Sequence, residues 1–478
     1  MNYRMISHVL GWVISFEGVC MLLPLLCAAI YGEQTIGLFI SCALLCFIVG
    51  IPLTLIKSRK KNMFAKEGFV IVALSWIFLS IFGAMPFFLS KAIPSFIDAL
   101  FETASGFTTT GASILTDVEA LPKSLLFWRS FTHWIGGMGV IVFLVALLPL
   151  SGGDNLHLIR AESPGHSVGK LVPHVKTTAK ILYTIYLGLT FVQIALLKLG
   201  GLDWFSSLTL TFGTAGTGGF SILNSGIASY SPYVQWVITI FMIIFGVDFT
   251  FYYCILMRRF KYALKMEEVR TYLCVIAVSV LLICLNIASQ ISNGWDNVRH
   301  SAFQVASVMT TTGYTTVDYD LWPQFSKMIL LGLMFLGACA GSTGGGIKVS
   351  RLLVLAKSII KEIRVLVHPK STVKVKLNGR PLEHETLRGI SVFFMAYCFV
   401  FVVVLLVISL DNLDFTTNFT AVAATLGNIG PGLSLVGPTG NFACYSFVSK
   451  LVLTLTMIVG RLEIFPILVL LSPKVWKR

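Results

Sequence analysis

The sequence has few charged residues for its length. Only 12% of its 478 residues are charged, 56% are hydrophobic, and the mean hydropathy is +0.83. Soluble domains carry roughly twice that charged fraction. Composition therefore excludes an ordinary soluble domain. The apolar residues form uninterrupted blocks long enough to cross a bilayer, so the chain is predicted to be a polytopic membrane protein.

Signatures of catalysis and of structural metal binding are also scarce. No H-E-x-x-H or G-x-S-x-G motif occurs within the apolar blocks, and most histidines fall between them, so we expect no enzyme activity. The ten cysteines lie mostly inside the blocks, and only Cys42 and Cys46 are one helical turn apart. This pattern predicts buried cysteines rather than a disulfide framework or a zinc site.

Ten apolar segments are present, and we predict that each spans the membrane. The first is too long to be the hydrophobic region of a signal peptide, and a second follows after a short turn, so both are expected to be retained. The predicted spans are 9–31, 35–56, 68–90, 125–150, 180–200, 232–257, 271–291, 326–357, 388–410 and 446–471. The predicted fold is therefore all-α, with ten transmembrane helices.

The placement of charge predicts the orientation of the chain. Basic residues cluster in 57–66, 154–180, 258–265 and 357–380 and at the C-terminus, while acidic residues lie mainly in the intervening loops. The positive-inside rule then puts the basic segments and both termini in the cytoplasm. Nearly all of the net charge of +14 comes from these cytoplasmic segments, where basic residues set the orientation of a membrane protein. We therefore expect no nucleic-acid partner. The basic segments could also contact anionic lipid.

The four long connections that are predicted to face outside repeat one pattern. Each contains a short apolar stretch and then a glycine-rich turn, and we align them on one marker glycine. The marker glycines are Gly111, Gly219, Gly313 and Gly430, on the order of 100 residues apart. Six residues before each stands Ser, Gly or Ala, and two residues before stands Thr or Asn. Each unit is predicted to be a span, a re-entrant half-helix, a tight turn and a second span.

This repeat divides the chain into five parts. Residues 1–56 form a two-span N-terminal extension, and the four repeats, called here quarters one to four, occupy 68–150, 180–257, 271–357 and 388–471. Four re-entrant segments around one axis would line a cavity, because non-helical backbone at membrane depth is tolerated only there or inside protein. Half-helix C-termini favour a cation, and carbonyl rings replace an ion's hydration shell. The repeats therefore predict a cation filter. The alternative is close helix packing by small residues.

The sequence at this point resembles the Trk/Ktr/HKT superfamily of potassium transporters, and within it the TrkH/TrkG-type subunits. The resemblance covers essentially the whole chain and is carried by "SGFTTTGAS", "GTGGFS", "TTTGYTT", "LGNIGPGL", "FWRSFTHWIGGMGVIVFLVALLP", "GACAGSTGGGIKVSR" and "GRLEIF". It implies potassium (K⁺) as the transported ion and no organic cofactor on this chain. It also implies a homodimer in the bacterial inner membrane and a cytosolic TrkA-type ring that binds nucleotides. The filter residues that it implies are Thr109, Thr110, Gly111, Gly218, Gly219, Thr311, Thr312, Gly313, Asn428, Ile429 and Gly430.

A second glycine-rich run, 337–351, interrupts the eighth predicted span. Three consecutive glycines do not make a stable helix interior, and Ile347 stands where a phosphate-binding loop needs lysine. The resemblance implies an intramembrane gate here, latched by an arginine in the last span. The implied gate residues are Gly341, Ser342, Thr343, Gly344, Gly345, Gly346, Lys348 and Arg461.

Several other ionisable residues are predicted at or near membrane depth. Asp248 and Glu463 keep open the alternative of an obligate symporter that couples potassium to protons or sodium. We expect Arg129 and His133 to have structural roles near the outer interface, and Glu17 has no assigned role. No inside loop is large enough to be a nucleotide-binding domain, so regulation must come from another chain. The basic loops are the predicted docking surface.

Overall fold

The structure is a computed structural model that describes residues 1–56, 64–139, 175–291 and 293–476. Four features predicted from the sequence lie wholly or partly outside these ranges. They are the basic segment 57–66, the end of the span 125–150, most of the basic segment 154–180 and the last two residues of the basic C-terminus.

The chain is mainly helical throughout the described residues. The helices, in chain order, are α1 (Tyr3–Cys20), α2 (Leu22–Tyr31), α3 (Ile36–Leu55), α4 (Ala65–Gly83), α5 (Met85–Leu89), α6 (Phe96–Phe107), α7 (Lys123–Gly137), α8 (Val175–Leu199), α9 (Trp204–Ala215), α10 (Pro232–Phe245), α11 (Phe249–Leu256), α12 (Phe260–Ala263), α13 (Glu267–Asn286), α14 (Gly294–Met309), α15 (Gln324–Leu336), α16 (Val349–Val367), α17 (His384–Ile408), α18 (Phe415–Leu426), α19 (Phe447–Arg461), α20 (Phe465–Leu471) and α21 (Pro473–Trp476). Single 3₁₀ turns lie at Tyr319–Leu321, Ser409–Asp411, Ser434–Val436 and Phe442–Cys444.

Two short strands form a hairpin between α16 and α17. Strands β1 (Lys376–Leu377) and β2 (Arg380–Pro381) are antiparallel, with Lys376 opposite Pro381. Asn378 and Gly379 between them both have positive φ angles, which is the backbone of a tight two-residue turn. The Asn378 side chain accepts a hydrogen bond of 2.8 Å from the backbone N–H of Glu267, so the hairpin is attached to the start of α13.

Within the described residues, six helices are long and apolar enough to cross a membrane. The number rises to eight if each of two bent helix pairs counts as one span. The predicted spans 125–150 and 326–357 are not among the eight, and the count of ten stays a prediction. The span predicted at 326–357 is not one helix: α15 ends at Leu336, α16 begins at Val349, and irregular backbone joins them.

The two bent pairs correspond to the spans predicted at 232–257 and 446–471. α10 and α11 meet at 90°, and α19 and α20 at 119°. Asp248 accepts a hydrogen bond from the backbone of Thr250 at the start of α11, so it caps a new helix at the first bend. At the second bend Glu463 and Ile464 have positive φ angles, which a continuing helix excludes.

Burial runs opposite to that of a soluble protein. The helices α6, α9, α14 and α18 lie at the centre, and their polar side chains are buried together with their apolar ones. Every residue from Phe101 to Thr110 and from Ser301 to Thr312 is buried, for example. Peripheral helices instead expose large apolar side chains, such as Ile48 (68% exposed), Leu281 (59%) and Phe399 (71%). The protein therefore has a polar centre inside an apolar shell. This arrangement suits a bilayer, because lipid solvates apolar side chains but not polar backbone groups.

Candidate ion-conducting site

Four short helices end in the same backbone turn at the centre of the protein. The helices are α6, α9, α14 and α18, with 12, 12, 16 and 12 residues. After each, one backbone N–H donates to the carbonyl five residues earlier, at 2.8–2.9 Å. The donor and acceptor pairs are Thr110 and Ser105, Gly218 and Gly213, Thr312 and Ser307, and Ile429 and Ala424. The small residue six positions before each marker glycine is therefore the acceptor that closes the turn.

The residue two positions before each marker glycine lies in the left-handed region. Thr109, Thr217, Thr311 and Asn428 have φ angles between +54° and +58°. Three of the four are β-branched, and such a conformation costs of order 1–3 kcal/mol per residue. The surrounding structure must therefore hold these four turns, and such strain concentrates at functional sites.

The marker glycines connect the four turns into a ring. Gly111, Gly219, Gly313 and Gly430 have φ angles of +79°, +73°, +86° and +105°. A Cβ atom on any of them would meet a carbonyl oxygen of the next quarter in cyclic order. The four pairs are Gly111 with Gly218, Gly219 with Thr312, Gly313 with Ile429, and Gly430 with Thr110. The structure thus brings the four facing carbonyls, those of Thr110, Gly218, Thr312 and Ile429, to one ring. All four residues are among the filter residues that the resemblance implies.

Side chains around the ring differ between the quarters. In quarters one and three, the threonine hydroxyls pair across the turn, Thr108 with Thr110 at 2.8 Å and Thr310 with Thr312 at 2.7 Å. In quarter four, Asn428 donates to the Thr110 hydroxyl and to the Met457 carbonyl, both at 2.9 Å. The asparagine therefore ties the fourth quarter to the first.

A cavity of about 390 Å³ lies against the ring. Its wall includes the marker glycines and the segments that follow them in all four quarters, with Ser113, Ser221 and Thr315 among the polar lining residues. The cavity is therefore a vestibule that leads to the ring from the side of the post-glycine segments.

The loop 337–348 packs against the opposite part of the turns. The Gly345 N–H donates to the Thr311 hydroxyl at 2.6 Å. A Cβ on Gly344 would lie 2.9 Å from the Thr310 carbonyl, and one on Gly345 would lie 2.5 Å from the Gly427 carbonyl. Only glycine permits this approach to quarters three and four. The structure thus brings the predicted gate residues into contact with predicted filter residues.

Arg461 binds this loop directly. Its guanidinium donates to the Thr343 carbonyl at 2.8 Å and to the Gly136 and Gly137 carbonyls at 2.5 and 2.8 Å. The last two carbonyls belong to the C-terminal end of α7. Arg461 therefore bridges quarter one, the loop from quarter three and its own helix in quarter four.

Other charged and polar residues in and near the loop also have partners. Lys348 donates to the Gly344 carbonyl, which closes the loop on itself. Glu463 forms an ion pair with Arg351, whose guanidinium also lies 4.2 Å from the centre of the Phe393 ring. Ser342 donates to the Cys339 carbonyl at 2.6 Å.

Comparison with known proteins identifies the family. The model of the family described as "TrkH: Cation transport protein" matches residues 37–478. The chain belongs to the TrkH family. It is 36% identical to the Trk system potassium uptake protein TrkH of Escherichia coli (strain K12), over 100% of both chains. It is 32% identical to TrkG of the same strain, over 100% of this chain and 99% of TrkG.

A solved structure gives the same result. The crystal structure of the potassium transporter TrkH from Vibrio parahaemolyticus matches with a TM-score of 0.89 and 33% identity, over 100% of both chains. The recognition of the family from the sequence is confirmed, as is the expectation that the chain belongs to transporters and not to enzymes. The protein is a multi-pass membrane protein of the TrkH family.

Two residues of α7 in this TrkH-family chain are buried against the central turns. Arg129 and His133, which were expected to have structural roles near the outer interface, are 3% and 0% exposed. The ring nitrogen Nδ1 of His133 lies 2.8 Å from the Gly106 carbonyl, and a Cβ on Gly218 would collide with the imidazole. Because α7 packs against α6 and α9, both side chains lie against the turns of quarters one and two.

Glu268 contacts the loop 337–348, and the sequence did not predict this role. Its Oε1 accepts hydrogen bonds from the N–H groups of Ala340, at 2.6 Å, and Ser350, at 3.1 Å. One carboxylate therefore holds both ends of the glycine loop. The sequence signal was present, since Glu267 and Glu268 open an apolar helix, but paired acids at a helix start are also ordinary complements of the helix dipole.

Asp248 also lies beside the loop. A Cβ on Gly341 would lie 2.7 Å from its Oδ1, and the N–H of Phe249 donates to the Gly341 carbonyl at 3.1 Å. Glu17 is a different case, since it is 1% exposed and neither carboxylate oxygen has a hydrogen-bond partner among the described residues. No group of three or more His, Cys, Asp or Glu residues in the described ranges could hold a metal ion.

Proposed function

We propose that this protein carries potassium across the cytoplasmic membrane of a bacterium through the ring of the four marker glycines. The observation that carries the proposal is the cyclic contact of each marker glycine with a carbonyl of the next quarter. This closed cycle of four similar turns supports a ring formed by the carbonyls of Thr110, Gly218, Thr312 and Ile429. The family relatives named as potassium uptake proteins give the ion.

The chemistry of the ring suits a monovalent cation. Carbonyl oxygens replace the hydration shell of potassium at a cost low enough for the ion to leave again. Each half-helix ends at its turn, and the negative end of its dipole stabilises positive charge there. Since each of the four quarters has glycine at the marker position, we expect a preference for potassium over sodium.

Flux through liposomes tests the proposal. The purified wild type is compared with Gly313→Ser, which adds a side chain at a φ of +86° and against the Ile429 carbonyl. We expect potassium-preferring flux in the wild type and lost or sodium-tolerant flux in the variant. Gly389→Ala is a matched control, because nothing lies within 4 Å of its Cβ position. Wild-type selectivity in Gly313→Ser would contradict the proposed filter.

Coupled symport is the alternative function, and the same liposomes address it. Asp248 caps α11 and Glu463 pairs with Arg351, and these partners support structural roles for both carboxylates. A uniporting filter predicts potassium flux that reverses with the potassium gradient alone. Flux that requires an imposed proton or sodium gradient would instead support the obligate symporter.

We propose that the loop 337–348 is the gate of this pathway. Its contacts with Thr311 and Arg461 support a closed position against the ring. Arg461, Glu268 and Thr311 each hold the loop through side-chain hydrogen bonds that no other quarter repeats among the described residues, which supports a loop that can be released.

We further propose that a cytosolic nucleotide-binding ring of the TrkA type docks on α16 and the hairpin. α16 begins where the loop ends, and Lys357 on it pairs with Glu267, next to the Glu268 that holds the loop. A push on this surface therefore has a short path to the loop. Neutralising the Lys and Arg residues of 357–380 should abolish capture of the ring in a pull-down, whereas unchanged capture would favour a lipid role for these residues.

The remaining features of the proposal concern topology. We propose ten spans, four repeats, a homodimer and cytoplasmic termini, on the charge distribution and the helix order given above. Reporter fusions after residues 56, 200 and 476 test the topology. An outside location for the fusion at 56 or 476 would contradict it.

A further inference from the structure

A second ring of contacts lies two residues beyond the marker glycines, on the vestibule side. The residues at that position are Ser113, Ser221, Thr315 and Gly432. The backbone carbonyl of each accepts a hydrogen bond from another quarter. Quarter four donates to quarter one, one to two, two to three, and three to four, so the set closes on itself. We call these four contacts the collar.

The four donors of the collar differ chemically. The Phe442 N–H donates to the Ser113 carbonyl at 2.8 Å, and the Ile227 N–H donates to the Thr315 carbonyl at 2.9 Å. The Tyr319 hydroxyl donates to the Gly432 carbonyl at 3.0 Å. The link from quarter one to quarter two is the charged one, because Nη1 of Arg129 donates to the Ser221 carbonyl at 2.9 Å.

Arg129 is itself held by a buried carboxylate. Its Nε lies 2.6 Å from Oε1 of Glu102, and the two side chains are 4% and 0% exposed. Glu102 also accepts from the Ser113 hydroxyl at 2.9 Å and from the Ile114 N–H at 3.0 Å. The ion pair therefore joins the post-glycine segment of quarter one to that of quarter two.

The other quarters lack this pair at the equivalent place. Nine residues before the marker glycine, where quarter one has Glu102, the other quarters have Leu210, Gln304 and Ala421. Gln304 is neutral and donates to Thr316 and Val317, both at 3.4 Å. A buried ion pair is an expensive way to make one link, and removing one partner leaves an uncompensated charge. The described residues use such a pair at one of the four collar contacts, which indicates a role beyond making that link.

We propose that Glu102 and Arg129 are positioning residues for ion selectivity, with Arg129 fixing the collar between quarters one and two and Glu102 cancelling its charge beside the ion path. This inference rests on the proposed filter. Arginine supplies a long, planar donor that reaches across the seam and stays charged at any physiological pH. A bare guanidinium near the ring would repel potassium, and the carboxylate removes that repulsion while it orients the guanidinium.

A double-mutant cycle separates these two roles. Glu102→Gln keeps the shape and leaves the Arg129 charge uncompensated, so potassium flux should fall about tenfold or more. Arg129→Met removes the donor, so the potassium-to-sodium flux ratio should fall about tenfold with a smaller loss of total cation flux. In the double variant, potassium flux should recover relative to Glu102→Gln because the site is neutral again. The flux ratio should stay low because Ser221 still lacks its donor.

The controls keep the result interpretable. Asp98 lies on the same half-helix and pairs with Lys450 at 2.8 Å, away from the collar, so Asp98→Asn should keep the wild-type ratio. Tyr319→Phe removes one neutral collar donor without changing the shape of a buried ring, and should lower the ratio by about twofold to tenfold. It decides the role of the collar if the charged variants do not fold, as judged by size-exclusion profile and melting temperature.

Specific outcomes would overturn the inference. Folded single variants with wild-type flux and ratio would show that the ion pair has no positioning role. Full recovery of the ratio in the double variant would reduce the pair to mutual compensation. An unchanged ratio in Tyr319→Phe would overturn the collar. If Gly313→Ser also keeps its selectivity, the filter itself is refuted, whereas a Gly313→Ser defect beside normal collar variants refutes the collar alone.

Discussion

The ring of marker glycines and the loop 337–348 are both rich in glycine, but they are held in different ways. Each ring turn closes through its own backbone and contacts the backbone of the next quarter. The loop is held partly by side chains from elsewhere, among them Glu268, Thr311 and Arg461. It is also held by backbone hydrogen bonds to the bend between α10 and α11, such as those from the Cys339 N–H to Gly246 and from the Phe249 N–H to Gly341. Backbone contacts repeated four times resist movement. The contacts of the loop are each made once and are not repeated in the described parts of the other quarters, so the difference favours a rigid ring and a movable loop.

Glycine also serves different purposes in the two regions. In the ring, each marker glycine has a positive φ and no room for a Cβ atom. In the loop, Gly337, Gly341 and Gly346 also have positive φ angles. Gly344 and Gly345, however, have ordinary φ angles and are needed for close approach to the turns. A substitution in the ring is therefore strained in every state of the protein. A substitution at Gly345 is crowded only where the loop lies against the turns.

The largest expected effect is in the ring. Gly219→Ala combines a φ of +73° with a collision against the Thr312 carbonyl, and strain of about 1–3 kcal/mol corresponds to roughly fivefold to 150-fold loss of potassium-selective flux. Gly345→Ala should instead alter opening while leaving the potassium-to-sodium ratio intact. Flux ratios in liposomes measure both. Equal losses of selectivity in the two variants would remove the distinction between ring and loop.

The next effect concerns the main side-chain contact of the loop. Arg461→Ala removes the donor to Thr343 and to the end of α7, so we expect raised open probability in single-channel records without the cytosolic partner. Hydrogen bonds to a charged group contribute about 1.5–3 kcal/mol, which corresponds to a rise of tenfold or more. The open probability of Arg461→Lys should lie between those of the wild type and Arg461→Ala. Unchanged open probability and conductance in Arg461→Ala would exclude the latch.

Glu268 should have a smaller effect in the same direction. Glu268→Gln keeps one acceptor oxygen but loses the charge that strengthens the hydrogen bonds from Ala340 and Ser350, so a rise in open probability of about threefold to tenfold is expected. Glu267→Gln is the matched control. It lies one residue earlier and pairs with Lys357, and it should leave gating in the isolated protein unchanged.

The smallest effect is expected at the outer end of a half-helix, remote from both regions. Asp414 caps α18 by accepting from the Thr417 N–H at 3.0 Å. Hydrogen bonding by the Thr417 side chain, the main cause, lowers the pKa of this carboxyl below its ordinary value. The cap therefore contributes stability above that ordinary value and loses it as pH falls through the lowered pKa.

Substitution tests this cap. Asp414→Ala should cost about 0.5–2 kcal/mol, and Asp414→Asn much less, because asparagine also caps helices well. Melting curves of the two variants and the wild type at neutral and acid pH measure the difference. Wild-type melting temperature in Asp414→Ala would show that the cap contributes nothing.

Sequence reasoning succeeded where a pattern repeats and failed where a contact is made once. The four marker glycines could be aligned because the same turn constrains the same positions in each quarter. Glu268 and the collar donors are single residues, and no period distinguishes them from ordinary polar side chains. The burial of Arg129 and His133 against the turns was not predicted for a related reason, since polar residues near a span's end are normally read as interfacial.

The helix pattern shows a similar limit. Hydropathy finds apolar length but not direction, so the bends at Asp248 and at Glu463 were read as parts of straight spans. The break between α15 and α16 was predicted, because three consecutive glycines oppose a helix. The 90° and 119° bends depend on a local cap and on two positive φ angles, which composition does not reveal.

The sequence by itself determined the membrane environment, the helical class and the family, and it marked the four turns. These follow from chain-local properties: apolar length, charge placement and the backbone freedom of glycine. Tertiary structure decided which carbonyl each marker glycine faces, which side chains hold the loop, and which donors close the collar. Those contacts join residues more than 70 positions apart in nearly every case, and their partners are chosen by packing in three dimensions, which no local pattern records.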